Sequence, residues 1–149
     1  MVVSQKTQYA VRAMIELAKQ EGTGPVKAAK IASARFIPVR FLENILGELR
    51  QAGLVDSVRG KEGGYLLSRP ARDLAVGEVI RVMQGPISAV DCAEAEGGRD
   101  CPLRSGCVLL PMWEKAHNAM MNVYDTTTLA DLVEQELEAH ECEALNYAI

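Results

Sequence analysis

At 149 residues, 48% of them hydrophobic, the chain is long enough for about one packed domain and has the apolar content to fill it. A formal net charge of −4 argues by itself against a nucleic-acid partner, but the charge is segregated: 12 Lys/Arg against 6 Asp/Glu from Met1 to Arg72, then 4 against 14 from Asp73 to Ile149. Only the first half is therefore suited to a polyanion. Met1–Arg12 holds no continuous apolar stretch and no later run approaches the roughly 18 residues of a membrane span, so secretion and membrane insertion are excluded as expectations. A cytoplasmic chain is expected, and in that compartment cysteines bind metal or react more often than they pair.

In chain order, Thr7–Gln20 reads as a helix with Ala10, Val11, Met14, Leu17 and Ala18 on one face, ended by Gly22, Gly24 and Pro25. A short helix, Lys27–Ser33, turns Ala28, Ile31 and Ala32 inward, and a brief turn follows at Ala34–Ile37. Pro38 opens the next helix, where a missing N–H costs nothing. Leu42, Ile45, Leu46 and Leu49 give it one buried stripe, and Gly53 suits the left-handed position after its end. No side-chain oxygen is available at Ile37 to cap it. Leu54–Arg59 and Tyr65–Ser68 read as two strands joined by the glycine-rich Gly60–Gly64. This is the order of a winged helix-turn-helix. Val76–Gln84 is a further helix, broken by Gly85-Pro86.

Toward the C-terminus, Leu109, Trp113, Ala116, Met120 and Val123 step by four and three residues, the pattern of a coiled-coil seam, with Pro111 in the first turn of that helix. The seam predicts a dimer helix with Leu109, Trp113 and Met120 at a two-fold interface. Thr128 and Asp131 form a variant capping box ahead of Leu129, Leu132, Val133 and Leu137, and the acidic stretch Glu134–Glu143 is expected to fray.

Two sets of residues carry chemistry. The second helix of a helix-turn-helix enters the major groove, and its solvent face here is Pro38, Arg40, Glu43 and Asn44. Arg40 suits guanine, Glu43 the cytosine amine and Asn44 adenine. In the hairpin, Arg59 and Lys61 flank Gly60, a wing able to meet phosphate or the minor groove. The second set is Cys92, Cys101 and Cys107, three of the four cysteines within 16 residues, in a segment of charge and turn formers unsuited to a core. Thiolates favour iron–sulfur clusters and zinc. Structural zinc normally takes four protein ligands, and only three cysteines are local; His117, ten residues on, is the nearest candidate for a fourth. Cys142 is expected to be an unliganded thiol. The two histidines lie in no recognisable catalytic motif and Gly60–Gly64 does not precede a helix, so an enzyme is not expected.

Taken together, Gln8-Tyr9-Ala10-Val11-Arg12, Ala52-Gly53-Leu54-Val55-Asp56-Ser57-Val58-Arg59-Gly60, Gly63-Gly64-Tyr65-Leu66-Leu67, Val76-Gly77-Glu78-Val79-Ile80 and the three cysteines resemble a known family. It comprises the bacterial winged-helix regulators that include the iron–sulfur regulator IscR, the nitric-oxide sensor NsrR and the iron regulator RirA. The resemblance runs from about Met1 to Val133, and Cys101–Cys107 is nearest to the NsrR and RirA branches. It implies a mainly α fold with a small β-hairpin wing and a C-terminal dimerisation helix. It implies a homodimer on a pseudo-palindromic double-stranded operator, with Arg40 and Glu43 in the major groove and Arg59 and Lys61 on the wing. It also implies one iron–sulfur cluster per subunit, of the 2Fe–2S or 4Fe–4S type, held by Cys92, Cys101 and Cys107. The chain departs from the family pattern twice. Leu110 stands where IscR-type proteins have a histidine, and Gln8 where some NsrR-type proteins have an acidic ligand, so the fourth ligand stays open. The expected organisation is a DNA-binding domain at 1–84, a cysteine loop at 85–108 and a dimerisation helix with its tail at 109–149. The expected function is a transcription regulator, in the repressor sense, whose cluster senses redox state, nitric oxide or iron. The alternative is a cluster-free thiol-based redox regulator on the same fold.

Overall fold

In the computed structural model, residues 3–87, 102 and 104–147 are described, with side chains through His140. Three helices come first: α1 (Gln5–Lys19), α2 (Ala28–Arg35) and α3 (Val39–Gln51). Ser4 caps α1, its hydroxyl accepting from the Thr7 N–H at 3.1 Å, which starts the helix two residues earlier than its apolar stripe suggests. α2 extends to Arg35 and ends on Phe36 in the left-handed conformation, so the turn before α3 is shorter than expected. α3 starts one residue after Pro38, which is itself the cap and offers no side-chain bond. Gly53 has φ +76° just past its end, as its position in the sequence predicts.

Leu42, Ile45, Leu46 and Leu49 are fully buried. Each such side chain contributes about 1.5–3 kcal/mol, and together they fix which face of α3 is left outward. They meet Met14 and Leu17 of α1 and Ile31 of α2 in one core. Strands β1 (Val55–Val58) and β2 (Gly64–Leu67) pair antiparallel, with Ser57 opposite Tyr65 and Val58 opposite Gly64. Tyr65 also exchanges two 2.8 Å backbone bonds with Val26, so the hairpin is stitched to the segment before α2. A Cβ on Gly64 would lie 2.5 Å from the Val26 carbonyl oxygen, which is the physical reason for glycine ahead of that tyrosine.

A 3-10 turn, Ala71–Asp73, leads to α4 (Val76–Gln84), where the Glu78 carboxylate accepts from the Ala75 N–H at 3.2 Å. α5 (Leu110–Thr126) has Pro111 in its first turn, as expected. Thr128 and Asp131 cap α6 (Leu129–Tyr147) reciprocally, at 2.8 and 3.1 Å. Hydrogen bonds from Thr128, its backbone N–H first, hold the Asp131 carboxyl below its usual range. Thr127 and Leu74 accept backbone bonds from Val76 and Leu129, at 2.9 Å each, and Leu129 is fully buried in the main core. α6 packs along α1, and its helical backbone runs through the acidic stretch to Tyr147, where the sequence predicts a frayed tail. Its Glu136 is gripped by Lys19 at 3.2 Å and by Arg35 at 2.6 Å, an anchor two turns into the helix.

The coiled-coil stripe of α5 is divided by the structure. Met120 packs with Met121 and Tyr124 on a second cluster built from Val76, Ile80 and Ile87, and Trp113 is half-buried. The apolar face left outward is Leu109 (52% exposed), Met112, Ala116, Ala119 and Val123 (58% exposed), which again steps by three and four. Sequence spacing alone merges two neighbouring stripes, because either satisfies the heptad until the position of α4 is known.

Candidate nucleic-acid interface and cysteine site

With the leucine stripe of α3 turned inward, Arg40, Glu43 and Asn44 lie exposed on its opposite side. Arg40 and Asn44 are one helical turn apart, as are Val39 and Glu43, so all four belong to one surface. That surface lies at the N-terminal half of the helix. The wing presents Arg59, Gly60 and Lys61, all exposed, with Gly60 at φ +107° and its carbonyl accepting from the Gly63 N–H at 3.0 Å. That φ is available to glycine at little cost and reverses the chain between the strands. Neither Arg40, Arg59 nor Lys61 forms an ion pair among the described residues. Other cations do: Lys6 binds Glu48 at 2.7 Å, joining α1 to α3.

α3 is braced from both ends. Phe41 meets Tyr9 of α1 edge-on at 5.8 Å, and the Arg12 guanidinium lies 5.9 Å from the Tyr9 ring. Arg50 donates to the Ser57 hydroxyl at 3.2 Å, linking the end of α3 to β1. A separate brace, not evident from the sequence, centres on Arg35 at the end of α2 and ties it to α1 and α6. Its Nε donates to Glu16 at 2.9 Å and its two terminal nitrogens to Glu136 at 2.6 and 2.9 Å. Burial opposes the charge of Arg35, but Glu136 and Glu16 outweigh it and the pKa is raised. The same bond from Arg35, with Lys19 assisting, holds the Glu136 carboxyl down at about 2. Arg35 and Glu136 are 101 residues apart, and no local pattern marks such a pair.

Of the cysteine set, Cys92 and Cys101 lie outside the described residues. Cys107 is free and half-buried, and follows the 3-10 turn Arg104–Gly106 three residues before α5. It lines a depression of about 400 Å³ with Pro102, Ser105, Val108 and Leu109. Leu110, at the family's histidine position, is half-buried at the start of α5. His117 has a buried Nδ1 without a hydrogen-bond partner. Seven residues of helix separate it from Leu110, about 10 Å along the axis, so it does not adjoin Cys107. Gln8 is exposed and donates to the Val3 carbonyl at 3.1 Å. The Cys142 side chain lies outside the described residues. Among the described residues no three His, Cys, Asp or Glu side chains converge.

A winged helix-turn-helix with a cationic wing and a polar recognition face is the architecture of a DNA-binding regulator, and comparison with known proteins agrees. The Rrf2 family, described as an iron-dependent transcriptional regulator, matches residues 3–135, and the chain belongs to that family. The transcriptional regulator CymR of Bacillus subtilis is 39% identical over 132 residues, covering 89% of each chain. IscR of an Enterobacter species is 36% identical over 136 residues, covering 91% of this chain and 82% of its own. Two solved structures superpose closely. One is CymR, titled the global cysteine regulator of B. subtilis, with TM-score 0.76 and 36% identity over 91% of this chain and 98% of that one. The other is T. potens IscR, with TM-score 0.74 and 37% identity over 93% and 90%. The chain is thus a DNA-binding transcriptional regulator and not an enzyme. No helix among the described residues is long and apolar enough to cross a membrane.

Proposed function

We propose that the chain is a homodimeric repressor whose affinity for a pseudo-palindromic operator is set by an iron–sulfur cluster on Cys92, Cys101 and Cys107. The observation that carries the DNA half is the shared outward surface of Arg40, Glu43 and Asn44, together with the exposed wing cations Arg59 and Lys61, which form no ion pair among the described residues. Arg40 reads guanine, Glu43 and Asn44 read neighbouring bases, and the wing grips phosphate or the minor groove. Two such surfaces related by a two-fold axis match two half-sites. The outward stripe Leu109, Met112, Ala116, Ala119 and Val123 supplies the self-complementary seam, its two alanines letting helices approach closely. Binding an operator puts the working site in the cytoplasm of a bacterial cell.

For the sensing half, the soft thiol donors fit a 2Fe–2S or 4Fe–4S cluster. Such a group supplies redox, nitric-oxide and iron sensitivity when bound. Cys107 lies three residues before α5, so a group bound to it is joined through the covalent chain to α5, which docks on α4 of the DNA-binding part, 1–84. Zinc is the alternative metal. A second reading has its own support: the identity to CymR, titled a global cysteine regulator, is as high as that to IscR, which favours a cluster-free thiol switch on the same fold. Anaerobic purification separates the two. A brown protein with iron and sulfide counts matching one cluster per subunit supports the cluster, and a colourless, iron-free protein refutes it. Lys61→Ala is expected to weaken all duplexes alike and flatten the salt dependence, while Arg40→Ala relaxes preference at one base pair. Unchanged binding in both refutes the DNA assignment.

A further inference from the structure

Phe36 breaks two rules at once. It is the sole non-glycine residue with positive φ (53°) among the described residues, and it is 89% exposed. The left-handed conformation disfavours a residue with a Cβ, and asparagine or glycine fills it at lower cost. An exposed phenyl ring recovers nothing for that strain within the chain. Residues held in this way cluster at sites that act on a ligand or partner.

The location names the partner. Phe36 opens the three-residue link between α2 and α3, three residues before Val39, which is 45% exposed and begins α3. Val39 shares its side of the helix with Glu43, and Arg40 and Asn44 adjoin it. Phe41 is engaged by Tyr9, whereas Phe36 makes no aromatic ring contact among the described residues. Two exposed apolar side chains at the leading end of a recognition helix, next to the cation Arg40, suit a polyanion whose major groove offers one apolar group, the thymine 5-methyl. We propose that Phe36 and Val39 recognise thymine methyl groups in each half-site, adding an apolar reading to the polar one of Arg40, Glu43 and Asn44. The inference rests on the DNA reading above and specifies a base that those polar side chains do not select.

The test uses the full-length protein. Duplexes are enriched from a randomised library by the wild type, and each thymine of the winner is replaced in turn by deoxyuridine, which lacks only the methyl. At one or two positions per half-site the wild type is expected to lose roughly fourfold in affinity per methyl. Phe36→Asn tolerates the left-handed backbone, so it is expected to fold with an unchanged or higher melting temperature. It should bind the thymine and deoxyuridine duplexes alike at the position Phe36 reads, with its affinity for unrelated DNA unchanged. Val39→Ala should flatten the response at its own position. A wild type indifferent to every substitution, or a Phe36→Asn variant that keeps the full penalty, overturns the proposal while leaving the DNA reading intact. Failure to enrich any duplex overturns both.

Discussion

Arg35 is the residue whose removal the structure makes most costly relative to its visibility in the sequence. Its side chain is 13% exposed and that of Glu16 only 7% exposed, and Arg35 is the one cation bound to Glu16 among the described residues. Arg35→Met keeps the aliphatic volume but leaves a carboxylate in the core with one 3.4 Å contact from Gln20. Breaking a buried pair from one side costs about 3–5 kcal/mol, because the remaining charge is stranded. The partial exposure of Glu136, the other partner, puts the expectation at the lower end, about 3 kcal/mol. With a urea m-value of about 2 kcal/mol/M, that moves the midpoint down by about 1.5 M. Glu16→Gln in the Arg35→Met background removes the stranded charge and should recover a large part of the loss. Urea titrations of wild type, both single variants and the double variant at neutral pH give the coupling directly. A loss below about 1 kcal/mol for Arg35→Met, or a double variant no better than Arg35→Met alone, refutes the reasoning.

Glu136 makes stability depend on pH in a stated direction. Its pKa lies at about 2 in the fold against 4.5 ordinarily, so the unfolded chain binds more protons between those values and stability rises with pH across them. The advantage of wild type over Glu136→Gln should be complete above pH 4.5 and vanish as pH falls through about 2; partial solvation holds it to about 1 kcal/mol, and an advantage that grows on acidification contradicts the assignment. Gly77→Ala should displace the exposed Asp125 carboxylate from Arg81, since the added Cβ falls on it, and so should forgo the gain of about 1 kcal/mol that alanine brings to a helix interior; a rise in stability by that full amount would show that the Asp125–Arg81 pair contributes nothing across α4 and α5. Ala119→Glu, on the outward stripe of α5, should leave each subunit folded by circular dichroism and dissociate the dimer in sedimentation. A wild type already monomeric at micromolar concentration removes the basis for that seam.

Much of the fold was legible because its signals are local. The α3 leucine stripe, the glycine after that helix, the Thr128–Asp131 cap and Pro111 in the first turn of α5 each depend on residues within a few positions. What was not legible depends on partners far along the chain. The division of the α5 stripe needs the position of α4, and the persistence of α6 through an acidic run rests in part on Lys19 and Arg35 reaching Glu136 from α1 and α2. Phe36 reads as an ordinary turn residue until its backbone angle and exposure are known together. Of the candidate site, the outward face of α3 and the exposed hairpin turn were legible from the sequence, since burial of one face of α3 determines the other. The cysteine spacing indicates donor chemistry but fixes no geometry.

The central claim joins the cysteines to the DNA surface, and operator affinity of the holo and apo proteins, measured at one salt concentration, tests it most directly. The account predicts that the two differ, and that operator DNA changes cluster stability by the same factor, since coupling between two sites is reciprocal. Cys92→Ala, Cys101→Ala and Cys107→Ala should each reproduce the apo affinity, while Cys142→Ala should behave as wild type. Equal holo and apo affinities for every operator tested would contradict the account.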